Sequence, residues 1–262
     1  MQFFKTIVVK LVLLSIVVMS STGCKKFLGL ERQTDYNYVK QTLDPHINMT
    51  ARKFLETRSD VVDTASTPKV VDTVFRWMKK GLEYAGIDLA EYEKTGRTYI
   101  FLHNDALRVW DKATQKVTGG FFFSFPILVK DASGNVIKSK IDPSQDSIRP
   151  ALQWSDYSKE TVKNYFLYLI GQGEYNFEQL DATNKPIQSL LPPGTVATKE
   201  SLLGYLNEGK GFDTEGKFYL KIANNSDLGP IVFNDKTNDR SAGYVATNGI
   251  IHVFGSTVYP FK

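Results

Sequence analysis

The spacing of apolar residues changes along the chain from a helical to a strand-like period. Between residues 50 and 86, apolar side chains recur at three- and four-residue steps, which is the period of one buried helix face. From residue 97 onward, short runs of β-branched and aromatic residues separated by turn residues predict strands. Helices dominate the first part and strands the last, without regular strand–helix–strand alternation and without internal repeats. This order predicts the α+β fold class.

Three longer helices are predicted from this pattern and from their terminal residues. Thr50 is the predicted N-cap of the first helix. The second is predicted to begin at Pro68 and to end at Gly86, because proline suits a first helical position and glycine the residue after the last. Asp156 or Ser158 opens the third. Their predicted buried faces are Ala51, Phe54, Leu55 and, after a break, Val61 and Val62, then Val70, Val71, Val74, Phe75, Met78 and Leu82, then Val162, Tyr165, Phe166 and Leu169.

Several segments after residue 97 are predicted to be strands. Residues 98–102 form a β-branched and aromatic strand, and Asn104 or Asp105 is predicted to cap a short helix after it. Residues 121–125 and 136–141 flank a turn-forming segment, which predicts a β-hairpin. The remaining predicted strands are 218–222, 231–233, 244–246 and 250–254.

An apolar run near the N-terminus has the composition of a secretory signal. Lys5 and Lys10 precede the run Leu11–Met19, and small residues lead from it to Cys24. A basic start, a short apolar segment and a small-residue zone predict a signal peptide over residues 1–23. The run is too short to span a hydrocarbon layer of about 30 Å, which needs about 20 residues.

Cys24 is the one cysteine of the chain, and it directly follows Gly23. This junction resembles the lipobox of bacterial lipoproteins, in which the thiol is acylated and becomes the new N-terminus. The resemblance implies lipidation at Cys24, a tether over residues 24–45 and an outer-membrane lipoprotein at the cell surface, with the periplasmic face as an open alternative. A plain secretion signal followed by an incidental cysteine is the other open interpretation.

The composition of the chain after residue 23 limits the number of domains and the kinds of partner that are expected. Removing residues 1–23 leaves 239 of the 262 residues, enough for one large domain or two small ones. It also leaves 30 basic against 28 acidic residues, with no basic cluster interleaved with aromatics, so nucleic acid is not a predicted partner. With Cys24 acylated, no disulfide can form. The predicted core is aromatic, because the chain carries 17 Phe, 13 Tyr and 3 Trp.

Two stretches resemble the conserved motifs of fasciclin (FAS1) domains. Residues 98–107, a strand followed by Asn-Asp-Ala-Leu, are similar to the first motif. Residues 243–253, which contain Asn-Gly-Ile-Ile-His, are similar to the second, and the order and separation of the two also fit. The residues that carry the motifs, in structural or binding roles, are Asn104 and Ala106 in the first and Asn248, Gly249 and His252 in the second.

The resemblance implies a single FAS1-like domain over residues 46–262. Its expected fold is a β-wedge of mostly antiparallel or mixed strands with N-terminal helices packed against it, plus a β-hairpin insertion. Many members carry a Tyr-His pair between the motifs, which in animals is linked to integrin adhesion. Because Tyr168-Leu169 stands there, integrin recognition is not carried over. The combination of domain and anchor resembles FAS1 lipoproteins of Gram-negative glycan-foraging bacteria.

The second motif also has a physical interpretation without any ligand. Asn248 and Gly249 are predicted to form a type I′ turn. His252 lies in the strand after that turn and is predicted to be hydrogen-bonded and partly buried rather than a metal ligand or base. His103, after the first strand, is predicted to cap or pair locally. The three histidines of the chain show no metal-ligand spacing, so neither a metal nor another cofactor is predicted.

No motif of a known catalytic machinery is present in the sequence. The chain lacks a Gly-x-Ser-x-Gly elbow, a phosphate-binding Gly-x-x-x-x-Gly-Lys-Ser/Thr loop and a His-Glu-x-x-His pair, and its thiol is taken by lipid. A glycosidase needs only two carboxylates at a suitable separation, so a hydrolase stays an open alternative. The prediction is nevertheless a protein that is not an enzyme.

The leading functional prediction is a non-catalytic binding or adhesion module held at the cell envelope. Its predicted partners are the membrane, through the lipid, and a protein or glycan at the cell surface. Tyr36, Tyr38, Trp110 and Trp154 are candidate binding aromatics, and filling of the core is the alternative for each. The second functional alternative is an accessory subunit of an outer-membrane glycan-uptake complex, which docks on a transporter or its partner lipoprotein.

Overall fold

The computed structural model of the chain describes residues 26–27, 30–31, 44–63, 70–123, 126–195, 212–225 and 229–260. The chain divides into two compact units, residues 1–43 and 44–262. In the first unit, a two-residue strand, β1 (Lys26–Phe27), pairs antiparallel with β2 (Leu30–Glu31), which the sequence pattern did not predict. No helix in the described ranges is both long and apolar enough to cross a bilayer.

The second unit belongs to the α+β class, as predicted. Its described part contains four α-helices and several sheets, and most of the strand pairs are antiparallel. The helices are α1 (Ala51–Thr57), α2 (Arg76–Ala85), α3 (Asn104–Leu107) and α4 (Lys159–Tyr168). The strands are β3 (Val61–Asp63), β4 (Val70–Asp72), β5 (Arg97–Leu102), β6 (Val109–Asp111), β7 (Lys116–Gly119), β8 (Pro126–Leu128), β9 (Ile148–Pro150), β10 (Ile170–Gln172), β11 (Lys185–Gln188), β12 (Lys217–Ile222), β13 (Ile231–Phe233), β14 (Thr237–Asn238), β15 (Ser241–Ala246) and β16 (Gly249–Phe254).

The central sheet has the strand order β10-β5-β16-β15. Strands β5 and β16 run parallel in its middle, and the two outer strands are antiparallel to them. All six residues of β16 and five of the six in β5 are buried, as expected for parallel strands in the middle of a sheet that is covered on both faces. Beside β15, His46 forms a parallel bridge with Val245.

A second sheet follows in the chain, with the order β11-β12-β13-β14 and antiparallel pairing throughout. It begins close to the edge of the central sheet, because Gly171 bridges Ser189 and the Leu190 N–H donates to the Ile170 carbonyl at 2.9 Å. The strands predicted at 218–222 and 231–233 are confirmed here.

Helices α1 and α4 begin at predicted caps, but Val61 and Val62, which were predicted to follow the first helix in helical spacing, lie in β3. Thr50 caps α1 by accepting a hydrogen bond from the Lys53 N–H, and Ser158 caps α4 through the Thr161 N–H. Packing of α2 on α4 depends on Gly81, because a Cβ there would lie 2.6 Å from the Phe166 ring. The absence of a side chain at this position therefore sets how closely the two helices approach.

The predicted start of the second helix is wrong, although its end at Gly86 is confirmed. Pro68 lies outside the described residues, but β4 follows it and pairs antiparallel with β3, and α2 begins only at Arg76. Each of these two strands carries a Val-Val pair. Such β-branched pairs favour an extended backbone, and this preference outweighs the helical spacing.

The strand predicted over residues 121–125 is also wrong. Phe121, Phe122 and Phe123 form a turn, and all three side chains are fully buried. Phe121 stacks on Tyr165 with ring centroids 4.8 Å apart, and Phe122 meets the edge of Trp154 at 4.9 Å. A run of three buried aromatics therefore fills the core from a turn, where no strand partner is needed.

A hairpin is present around the predicted turn, with a different pairing from the predicted one. Its turn closes where the Asp131 N–H donates to the Asn135 carbonyl, and at its base β8 pairs with β9. The segment around Ile137 lies between the two sides of the hairpin and bonds to both. The Ile137 N–H donates to the Val129 carbonyl, and the Ser147 N–H donates to the Ile137 carbonyl. We call residues 126–152 the arm.

Candidate functional site

The predicted lipidation site lies outside the described residues. Cys24, the signal segment 1–23 and the aromatics Tyr36 and Tyr38 all belong to that part of the chain. Lipid anchoring therefore stays a prediction from the sequence. The five residues of the two FAS1-like motifs are all described.

Asn104 caps a helix that is distant from it in the sequence. Its Oδ1 accepts a hydrogen bond from the Trp77 N–H at 3.0 Å, and its Nδ2 donates to the Thr73 carbonyl at 2.6 Å. Phe75, the N-cap residue of α2 itself, provides no side-chain hydrogen bond. Asn104 thus supplies the acceptor that the first turn of α2 needs, from 27 residues away.

Asn248 plays the same role for α1. Its Oδ1 accepts a hydrogen bond from the N–H of Ala51, the first residue of that helix, at 2.8 Å. Its Nδ2 donates to the carbonyls of Tyr92 at 2.9 Å and Lys94 at 3.1 Å. Ala51 and Tyr92 are fully buried, so their backbone groups would be left without a partner or water if the amide were removed. The Lys94 carbonyl would keep its second donor, the Tyr99 hydroxyl at 2.6 Å.

The turn around Asn248 differs from its prediction. Ala246 pairs with Gly249, so the two loop residues are Thr247 and Asn248. Neither has a positive φ, and the predicted type I′ turn is therefore wrong. Gly249 serves close packing instead, because a Cβ at that position would lie 2.3 Å from the backbone oxygen of Arg97. Its absence allows β16 to pair with β5.

The first motif is buried in the same way. Ala106 is fully buried, and its carbonyl accepts a hydrogen bond from the Phe121 N–H at 3.0 Å. The N-cap of α3 is His103, whose Nδ1 accepts from the Asp105 N–H at 3.2 Å. The prediction that Asn104 or Asp105 caps this helix is wrong, while local capping by His103 is confirmed.

His252 is hydrogen-bonded, as its position in the strand predicts, and is more deeply buried than predicted, with no exposed surface. The Gly243 N–H donates to Nδ1 at 3.0 Å, so the proton is on Nε2, which donates to the Tyr175 carbonyl at 2.8 Å. Burial lowers the pKa of His252 to about 4. The ring is therefore neutral at physiological pH and tied to backbone on both sides.

The contacts of the five motif residues connect helices and strands to one another, and these residues form no common surface site. Across the described ranges, no group of three or more His, Cys, Asp or Glu side chains is placed to hold a metal ion. One open depression of about 460 Å³ lies beside β14, and the residues that line it include no carboxylate. These lining residues are Lys236, Thr237, Asn238, Ser256, Thr257 and Tyr259.

The two described candidate aromatics have opposite environments. Trp154 is 5% exposed and donates from its indole Nε1 to the Trp77 carbonyl at 3.1 Å, so it fills the core and is not a binding residue. Trp110 in β6 is 38% exposed. Of the two, only Trp110 can meet a ligand at the surface.

Arg108 lies between tryptophan rings in a cluster that the sequence analysis missed. Its guanidinium carbon is 4.8 Å from the ring centroid of Trp77, 4.6 Å from that of Trp110 and 5.8 Å from that of Phe123. Arg108 and Trp110 are two residues apart in extended backbone, which places both on one side. That alternation was the available signal, whereas Trp77 comes from a distant helix. We call Trp77, Arg108 and Trp110 the Trp–Arg cluster.

The arm carries most of the exposed aliphatic surface. Among the described residues, six large hydrophobic side chains are exposed, and five of them belong to the arm. These are Val136 (39%), Ile137 (40%), Ile141 (98%), Ile148 (52%) and Leu152 (58%). Exposed apolar side chains that form a continuous patch typically mark an interaction site.

Comparison with known proteins adds no relative. The chain matches no family model, and no curated protein matches it.

Proposed function

We propose that this protein is a lipid-anchored, non-catalytic binding module of the cell envelope, which contacts a protein partner through the arm. The observation that carries the proposal is the concentration of exposed aliphatic side chains on the arm, with Ile141 at 98% exposure. Burial of such side chains in an interface would contribute about 25 cal/mol for each Å² removed from water.

The character of the arm favours a protein partner over lipid or sugar. Its exposed apolar residues are aliphatic, without an aromatic ring to stack on a sugar. Its charges are four basic and three acidic side chains, so it has little net attraction for an anionic membrane. The Lys138–Asp146 ion pair, with Nζ and Oδ1 2.8 Å apart, further neutralises the surface near the arm's middle.

A FAS1-like fold is part of the same proposal. It is supported by the pairing of the two motif strands, because β5 and β16 lie side by side over six residue pairs. It is supported as well by the parallel roles of Asn104 and Asn248, one from each motif, each of which caps a helix from a distance. Both features are structural roles that require the two motifs to be present in the same domain.

The arm hypothesis is tested by site-specific photo-crosslinking in the native cells. A photoreactive residue at position 141 is expected to capture one defined envelope protein, while the same residue at position 112, exposed on the β6–β7 turn, captures none. The double variant Ile141→Ser, Leu152→Ser is expected to lose at least nine-tenths of a crosslink made from position 148. Its unfolding temperature should not change, because both side chains are exposed.

Identification of the captured protein decides between adhesion and uptake. An outer-membrane transporter or its partner lipoprotein would make this chain an accessory subunit of an uptake complex, and a host or matrix protein would make it an adhesin. Equal, diffuse labelling from positions 141 and 112 would contradict the arm as an interface.

The anchor is tested separately at Cys24. We expect the mature protein to begin at this residue and to carry acyl chains, since one chain alone gives only marginal binding and stable anchoring takes more. Mass spectrometry of the native N-terminal peptide measures this directly. A Cys24→Ser variant is expected to leave the membrane fraction, and an intact free thiol at position 24 in the wild type would contradict the anchor.

A further inference from the structure

We propose that the Trp–Arg cluster is a binding site for acidic saccharides, in which Arg108 holds the carboxylate of a uronic acid and Trp110 packs against its sugar ring. This inference is independent of the arm and of the protein partner proposed for it. It assigns a small-ligand chemistry to a surface that the FAS1-like motifs do not include.

The first argument is that Arg108 is partly buried without a carboxylate partner. Of the other six described arginines, four, Arg52, Arg58, Arg76 and Arg149, form an ion pair with a carboxylate. Within the described part of the chain, no such pair includes Arg108, and its buried Nε has no hydrogen-bond partner. A guanidinium has five N–H donors, and tryptophan faces attract its charge without accepting in-plane hydrogen bonds.

The second argument is the position of the surrounding charges. Lys80 adds a second cation to the cluster, with its Nζ 5.7 Å from the Trp77 ring centroid. Two acidic residues lie three positions from Arg108 in the sequence, and both have other partners. Asp111 accepts hydrogen bonds from the Ala113 N–H and the Thr114 hydroxyl, and the Asp105 Oδ2 lies 3.2 Å from the His103 Nδ1. Partial burial lowers the pKa of Arg108, as expected for a cation that lacks a counterion.

The third argument is geometric. The three aromatic rings that contact the guanidinium restrict its orientation, so little side-chain freedom is lost when a ligand binds. A carboxylate can accept two parallel hydrogen bonds from a guanidinium edge, which a point cation cannot offer. The site therefore has one preorganised charged group beside aromatic walls, the usual composition of a small-ligand site.

Trp110 decides the class of ligand. Its exposed indole surface adjoins the guanidinium, with 4.6 Å between its centroid and the guanidinium carbon. A ligand that uses both groups needs a carboxylate attached directly to a flat body with an apolar face. A uronic acid has this form, because its carboxylate is bonded to the ring carbon. A peptide carboxylate lacks the adjoining ring and would use Arg108 alone.

The test is a titration of the purified full-length protein with trigalacturonate, followed by tryptophan fluorescence. Saturable quenching is expected, and the fully methyl-esterified trisaccharide, which has the same rings without charge, should bind at least tenfold more weakly. A Trp110→Ala variant should lower the affinity for trigalacturonate at least fivefold. An acidic tripeptide is the third ligand, and equal binding of peptide and trigalacturonate would overturn the saccharide assignment.

Three arginine variants separate recognition from stability. Arg108→Gln is expected to lose at least tenfold in affinity, and Arg108→Lys, which keeps a cation over both rings but not the planar edge, at least threefold. Arg58→Gln is the matched control, because Arg58 is also partly buried over two aromatic rings, those of Phe54 and Phe75, but is already paired with Asp72. The folded Arg58→Gln variant should leave binding unchanged. Failure of trigalacturonate to bind the wild type, or equal binding to wild type and the folded Arg108→Lys and Arg108→Gln variants, would overturn the proposal.

Discussion

Replacement of Asn248 by alanine is expected to lower the free energy of unfolding by about 3 kcal/mol, since it removes a helix cap and leaves buried backbone groups unpaired. The Ala51 N–H loses its acceptor and the Tyr92 carbonyl loses its donor, while the Lys94 carbonyl keeps the Tyr99 hydroxyl. Ala51 and Tyr92 are both fully buried, so neither group can regain water. Urea unfolding of the purified protein, followed by circular dichroism, measures the change.

Two further variants show which contact matters. Asn248→Asp keeps an oxygen for the Ala51 N–H but turns a carboxylate toward two carbonyls, so we expect a loss at least as large as that of alanine. Asn238→Ala, on an exposed residue of β14, is the matched control and should change stability by less than about 0.5 kcal/mol. An Asn248→Ala protein as stable as this control would contradict the capping role.

An Asp239→Asn variant is expected to lose about 3 kcal/mol of stability as the pH falls from 6.5 to 4, through the titration of His252. The pKa of His252 is about 4 in the folded chain against 6.5 for an ordinary histidine. Between these values the unfolded chain binds a proton that the folded chain does not bind, so stability falls on acidification. Protonation in the folded state would set a second N–H against that of Gly243.

In the wild type, most of this loss of stability should be offset, because the titration of Asp239 changes the stability in the opposite direction. Burial raises the pKa of its carboxyl to about 6, although its Oδ1 accepts a hydrogen bond from the Ile231 N–H. Between pH 3.8 and 6 the folded chain binds the extra proton, so acidification stabilises it in that window. Partial exposure makes this contribution the smaller of the two.

Chemical unfolding at half-unit pH steps tests both signs. We expect a shallow acid slope in the wild type, a steep one in Asp239→Asn and a reversed one in His252→Gln, which retains polar atoms but no titration. An Asp239→Asn protein with the same pH dependence as the wild type would contradict the raised pKa. Loss of the acid slope in that variant would contradict the buried neutral histidine.

Elements of this fold could be predicted from the sequence where the residues of one short segment are sufficient to determine the element. The cap at Ser158, the helix end at Gly86 and the strand at residues 97–102 depend on neighbouring residues and on a periodic face. The start of α2 was misread because the same valines fit a helical stripe and an extended pair. Only the partner strand β3 decides between the two.

Long-range contacts explain the features that were missed. Asn104 and Asn248 were recognised as motif residues, yet the helices that they cap lie 27 and 197 residues away. The Trp–Arg cluster likewise needs Trp77 from α2 beside a strand residue, and burial of Trp154 depends on the space that Gly81 leaves. Exposure of the arm follows from its pairing with itself, which the hydrophobicity of its residues does not indicate.

The parallel contact of β5 with β16 has a consequence for biogenesis. Thr98 faces Ile250, so the middle of the central sheet joins residues 152 positions apart. Chains emerge from the ribosome N-terminus first, and contacts between residues so far apart in the sequence form slowly. Until β16 has been synthesised, β5 has no neighbour on that edge, and the nascent polypeptide stays open. For the secretion proposed above, that delay would keep the polypeptide open during passage through a translocation pore, which a protein with an early-closing sheet would block.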